Sequence, residues 1–165
     1  MIRGLGCLLI LSGGVGAEVL HARASRRLLE TLEGFFALFE RMETEIRLNR
    51  TPLVQLMRRL LPGTRREVRR FLEAAVQAAE RGASLPGAWR RESGNLTADA
   101  HTRSLIREVG DKLCGDEESA CRALRLAAQQ LAADAEKLRR ERGDKERRAA
   151  VLYVSAAAFL VILLL

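Results

Sequence analysis

Few residues in this chain are placed to do bond-making chemistry. His21 and His101 are the two histidines, and neither has a serine, cysteine or carboxylate at a spacing that would build a nucleophile and its base. The sequence has no GxxxxGK(S/T) phosphate loop and no GxGxxG turn. Glu40, Glu43 and Glu45 could be imagined as paired acid–base carboxylates, but they lie where a helix leaves its apolar stripe and read as surface charges. Cys7, Cys114 and Cys121 are odd in number and lack CxxC or Cys/His spacing, so no disulfide framework or zinc site is expected. All three read as small core filler in a reducing compartment. No catalytic residue, cofactor, metal or small-molecule substrate is expected.

The chemistry that remains is charge. "RRLLPGTRREVRR", Arg58 to Arg70, holds six arginines in thirteen positions, enough to bind phosphate on a nucleic acid or a lipid. The chain has 165 residues and a formal net charge of +7, but only one Trp and one Tyr. No aromatic alternates with the arginines to stack bases, and no nucleic-acid-binding signature appears. A membrane-tethered nucleic-acid-binding protein is therefore the second reading, behind a lipid-facing one.

The elements that position these charges are helical. Hydrophobic residues make up 48% and aromatics 4%, dominated by Leu and Ala, which favours helix over strand. The last run, 149–165, is free of charge over seventeen residues and as a helix spans about 26 Å, just enough to cross a bilayer core. The first charge-free run, 4–17, is shorter. One arginine precedes it, while Arg23, Arg26 and Arg27 follow it, which argues for retention as a span rather than cleavage. With both runs as spans, both basic flanks face the cytoplasm, as the positive-inside tendency requires. The expected domains are a span over 1–23, a cytosolic bundle over 24–148 and a span over 149–165.

Between the spans, helix one carries Leu28, Leu32, Phe35, Phe36, Phe39, Met42 and Ile46 at three-and-four spacing and stops near Leu48. Thr51 caps a short second helix with Pro52 at its first position, its inward residues being Leu53, Leu56, Met57 and Leu60. Thr64 and Glu67 form a capping box for helix three, which buries Val68, Phe71, Leu72, Ala75, Val76 and Ala79 and ends at Gly82. Ser84 caps a fourth helix, docked by Trp89 and ended by Gly94 and Asn95, and Thr97 caps a fifth with Leu105, Ile106 and Val109 inward. The sixth opens on "DEES" and carries Ala120, Leu124, Ala127, Leu131, Ala135 and Leu138 into the last span. The fold class is all-α: a six-helix antiparallel bundle whose first and last helices extend into transmembrane spans.

Alternation of turns then sorts the charges. Arg58 to Arg70 is +5, Arg139 to Arg148 is +3, and Asp116 to Leu138 is −2. The membrane-facing basic set is Arg23, Arg26, Arg27, Arg58, Arg59, Arg65, Arg66, Arg69, Arg70, Arg139, Arg140 and Arg142, converging on an anionic leaflet.

The order of three segments resembles the bacterial stage III sporulation protein AB family. "METEIRLNRTPL", Met42 to Leu53, is similar to its E-I-x-x-x-x-T-P-L segment, Ala88-Trp89 to its following "AW", and "IREVGDKLCGDEES", Ile106 to Ser119, to its L-G-x-x-L-G-x-S-D turn. Cys114-Gly115 and the absence of an aromatic within Arg47 to Arg50 depart from that pattern. The resemblance implies a structural, non-enzymatic subunit in the mother-cell membrane around the forespore, its bundle in the cytoplasm. It implies a secretion-like channel complex required for endospore formation, with other membrane subunits and a cytoplasmic ATPase as partners. The partner-binding end is expected at the turns far from the lipid, with Glu43, Glu45, Arg47, Arg50, Thr51, Asp111 and Asp116.

Overall fold

Leucine and alanine at helical spacing give α1 (Ile2–Leu48), α2 (Leu53–Leu60), α3 (Arg66–Glu80), α4 (Leu85–Gly94), α5 (Ala100–Lys112) and α6 (Glu117–Leu164). This computed structural model describes the backbone of residues 2–48 and 51–164, with side chains except those of 2–22, 145–146, 149–154 and 156–164. Among the described residues there is no strand.

α1 and α6 form the spine. α1 buries Leu32, Phe35, Leu38, Phe39 and Met42, and α6 answers with Ala120, Leu124, Ala127, Leu131 and Ala135. The alternation of large and small residues lets the two backbones approach, and their pairing is the most extensive in the molecule. Their direction follows from two ion pairs, Glu33 with Arg139 and Glu43 with Arg125: rising along α1 goes with falling along α6, so they are antiparallel. α2, α3, α4 and α5 pack in succession along one side of this pair.

Trp89 closes that side. Its ring is 1% exposed, meets Phe71 edge-on at 4.7 Å and donates from Nε1 to the Ile106 carbonyl at 2.7 Å. Phe71 in turn meets Phe35 at 5.2 Å, so an aromatic chain runs from α4 through α3 to α1. Two glycines make room for it. A Cβ on Gly110 would lie 2.1 Å from Trp89 Cδ1, and one on Gly34 would lie 2.7 Å from Val68 Cγ2. Trp89 is thus the core anchor that its short helix needs.

Several expected caps fall elsewhere. Thr64 does not start α3: its hydroxyl donates back to the Leu60 carbonyl, Arg65 is the N-cap without a side-chain bond, and Glu67 lies 3.5 Å from the Thr31 hydroxyl of α1, which donates to the Arg27 carbonyl at 2.9 Å. The capping box is absent because the Thr64 hydroxyl is used on the preceding turn and the helix begins one residue later. α5 is capped by Asp99, which accepts from the Thr102 N–H at 3.1 Å, not by Thr97; buried Leu96 pins the turn and delays the helix. Pro52 is the N-cap of α2, its carbonyl accepting from Leu56 N–H at 3.0 Å, so Thr51 lies one residue outside. Ser84 holds the N-cap position of α4 without a side-chain bond.

Of the cysteines, Cys121 is buried and Cys114 is exposed, because it follows Leu113 into the α5–α6 turn; Cys7 lies outside the described side chains. Burial and the Asp111 charge push the Cys114 thiol up. α1 and α6 continue without a break across residues 23 and 148. Among the described residues, no helix is long and apolar enough to cross a membrane. The expected spans at the two ends lie almost wholly outside the described side chains.

Candidate functional site

The two ends of the bundle carry the charges, and they treat them differently. At the end where α3 begins, the centre is Glu33 on α1. Its side chain is 20% exposed and takes Arg65 Nη2 from α3 at 2.6 Å and Arg139 from α6. Partial burial opposes its ionisation, but the hydrogen bonds and charges of both arginines outweigh that and hold the carboxyl below its ordinary range. One carboxylate therefore ties three helices.

Beside this clamp is a cleft of about 320 Å³ lined by Arg27, Glu30, Arg65, Arg66, Glu67 and Arg70. Arg66 and Arg70 stand four residues apart on α3 and so share a face; Arg27 faces them from α1. Among the described residues, the side chains of Arg27, Arg66 and Arg70 form no ion pair.

The structure thus brings Arg27, Arg65, Arg66, Arg70 and Arg139 together and leaves others apart. Arg58 turns away to Glu80 at the end of α3, and Arg59 is exposed on α2. Arg69 pairs with Glu73 at 2.7 Å and Arg140 with Glu136 at 2.9 Å. Arg23 and Arg26 are exposed on α1, and Arg142 is half-buried on α6. Ten residues of helix separate Arg23 from Glu33, about 15 Å. The clamp is therefore raised above the first basic flank rather than level with it.

At the opposite end the arginines are spent on carboxylates. Glu43 forms an ion pair with Arg47 Nε at 3.2 Å and accepts from Arg125 Nη2 at 2.5 Å; the hydrogen bond and charge of Glu43 push the Arg125 guanidinium further up. Arg122 pairs with Glu118 at 2.9 Å. Asp116 caps α6 by accepting from Ser119 N–H at 2.9 Å, and this bond holds its carboxyl below the ordinary range.

A concavity of about 680 Å³ is lined by Arg47, Glu117, Glu118, Cys121, Arg122, Arg125 and Leu126. A second, on α1, includes Glu43, Glu45, Arg47 and Leu48. Leu48 is 73% and Leu126 54% exposed. Asp111 stands apart from these, paired with Arg90 of α4 at 2.8 Å. Thr51 is half-buried, and Arg50 lies outside the described residues.

Sequence reasoning missed Leu48, Leu126, Arg122 and Arg125. Leu126 carried a signal: two positions after Leu124 and one before Ala127, it cannot share their inward face. His101 is exposed on α5, 3.8 Å from Asp134, and His21 lies outside the described side chains. Among the described residues, no three His, Cys, Asp or Glu side chains gather where they could hold a metal.

Comparison with known proteins completes the picture. The solved structure of a stage III sporulation protein AB superposes with a TM-score of 0.64 at 18% identity, covering 72% of this chain and 98% of that one, which establishes the shared helical fold. No curated protein sequence matches the chain. The sequence profile of stage III sporulation protein AB matches residues 3–165, and the chain belongs to that family.

Proposed function

We propose that this protein is a non-enzymatic platform subunit of a secretion-like channel complex between mother cell and forespore, anchored in the mother-cell membrane by its two ends. The observation that carries this reading is the spine. α1 and α6, 47 and 48 residues long, run antiparallel and leave the bundle together at one end, so two apolar runs would enter one membrane side by side. Family membership supplies the sporulation context. The helix-tying clamp around Glu33 suits a part that must stand rigidly on its stalk, with the basic end toward an anionic membrane.

The far end offers its face to partners, the complex's cytoplasmic ATPase and other membrane subunits. There the paired arginines surround exposed Leu48 and Leu126, a surface that gains from being covered. A nucleic-acid role is disfavoured because Phe35, Phe39, Phe71 and Trp89 are buried and cannot stack on bases.

The test is recovery of the ATPase with the full-length chain from sporulating cells. Leu48→Glu combined with Leu126→Glu is expected to lower recovery at least about tenfold, since each removes an apolar contact and inserts a charge, while the thermal melt stays unchanged. Equal recovery would remove the far-end assignment, and failure of the wild-type chain to recover any ATPase would remove the platform reading.

A further inference from the structure

We infer that the cleft between α1 and α3 is a binding site for the phosphate of an anionic lipid headgroup, held by Arg27, Arg66 and Arg70. This deepens, and rests on, the proposal that the basic end faces a membrane.

On α3, Arg65 is joined to Glu33 and Arg69 to Glu73, so carboxylates are available to this helix and are used. Arg66 and Arg70 interleave with those two and form no ion pair among the described residues. They line one cleft with Arg27, which is likewise unpaired among them. Three guanidiniums gathered around one hollow repel one another, and an anion between them relieves that repulsion. The two carboxylates of the cleft, Glu30 and Glu67, form no ion pair with these three arginines among the described residues and are one fewer than them, so they offset the charge only in part.

Phosphate is the anion that fits. Guanidinium binds it through paired N–H donors, and arginine is preferred over lysine for that geometry. The cleft volume of about 320 Å³ accommodates a phosphate with a small polar substituent. Its position supplies the lipid. Arg27 stands four residues, about 6 Å of helix, beyond Arg23, and the headgroup layer outside the hydrocarbon core is itself about 5 to 7 Å thick. A headgroup beside the α1–α6 stalk would thus reach the cleft mouth while its acyl chains remain in the bilayer.

Native mass spectrometry of the full-length chain in detergent tests this, comparing retention of phosphatidylglycerol with phosphatidylcholine of the same chain length. The wild type should retain phosphatidylglycerol preferentially, and R27Q/R66Q/R70Q should lose at least about tenfold of that preference. The control R81Q/R103Q/R107Q, at the end of α3 and on α5, removes the same charge elsewhere and should lose less than about twofold. Equal loss in both triple variants would overturn the cleft while leaving a diffuse basic membrane face; no loss in either would overturn both. Binding of inorganic phosphate that depends on Arg27, Arg66 and Arg70, without preference between the lipids, would assign the cleft to a soluble phosphate and overturn the lipid assignment. An unchanged thermal melt of R27Q/R66Q/R70Q separates lost binding from lost folding.

Discussion

The two ends of the bundle are built from the same residue types and arrive at opposite surfaces. At the α3 end, Glu33 binds Arg65 and Arg139, and Arg27, Arg66 and Arg70 are left around an open cleft. At the far end, Glu43 and Glu118 take up Arg47, Arg122 and Arg125, and Leu48 and Leu126 lie exposed among those pairs. The first surface attracts at a distance and weakens with salt; the second acts only on contact and gains from excluding water. Net charge alone distinguishes neither. The difference lies in which charges are already satisfied.

The strongest way to break this contrast is to break the fold that separates the ends. Gly110→Ala would force a Cβ to within 2.1 Å of Trp89 Cδ1, displacing the ring and its bond to Ile106. A loss of about 3 kcal/mol is expected, readable as a lower urea midpoint, with both surfaces weakened together. An unchanged midpoint would show that α4 shifts without cost and that Trp89 is not the anchor.

A smaller effect isolates the clamp. Glu33→Gln should cost about 1 kcal/mol at neutral pH, a discounted figure because both arginines are about half exposed. The folded carboxyl is held below its ordinary range, so its contribution is present above the unfolded pKa and disappears as pH falls through the folded value. Urea melts of the two proteins should therefore converge in acid. A gap that persisted there would mean that shape, not charge, joins the three helices.

The gentlest probe is salt. Between about 0.05 and 0.5 M, lipid retention at the α3 end should fall by roughly tenfold or more, whereas partner recovery at the far end should change by less than about twofold. Parallel behaviour at both ends would erase the distinction between a charged and an apolar surface.

How much of this was legible can be judged residue by residue. The inward stripes were read well: Leu32, Phe35, Phe39 and Met42 on α1, and Leu124 and Leu131 on α6, are buried as their spacing predicts. Caps were read less well. Thr64 can bond forward to a helix N–H or back to a carbonyl, and here it bonds back to Leu60, leaving Arg65 as the N-cap. The arginines were the least legible. Arg65 and Arg66 are neighbours with the same side chain and both line the cleft, yet only Arg65 meets Glu33, a residue of another helix that the local sequence does not identify.

By itself, the sequence determined six helices, their apolar faces and where basic residues concentrate, because helical periodicity, breakers and composition act over a few residues. Only the tertiary structure decided which charges remain unsatisfied. Arg139 finds Glu33 across 106 residues, a pairing set by how α1, α3 and α6 pack. Packing therefore chose the free guanidiniums at one end and the exposed leucines at the other.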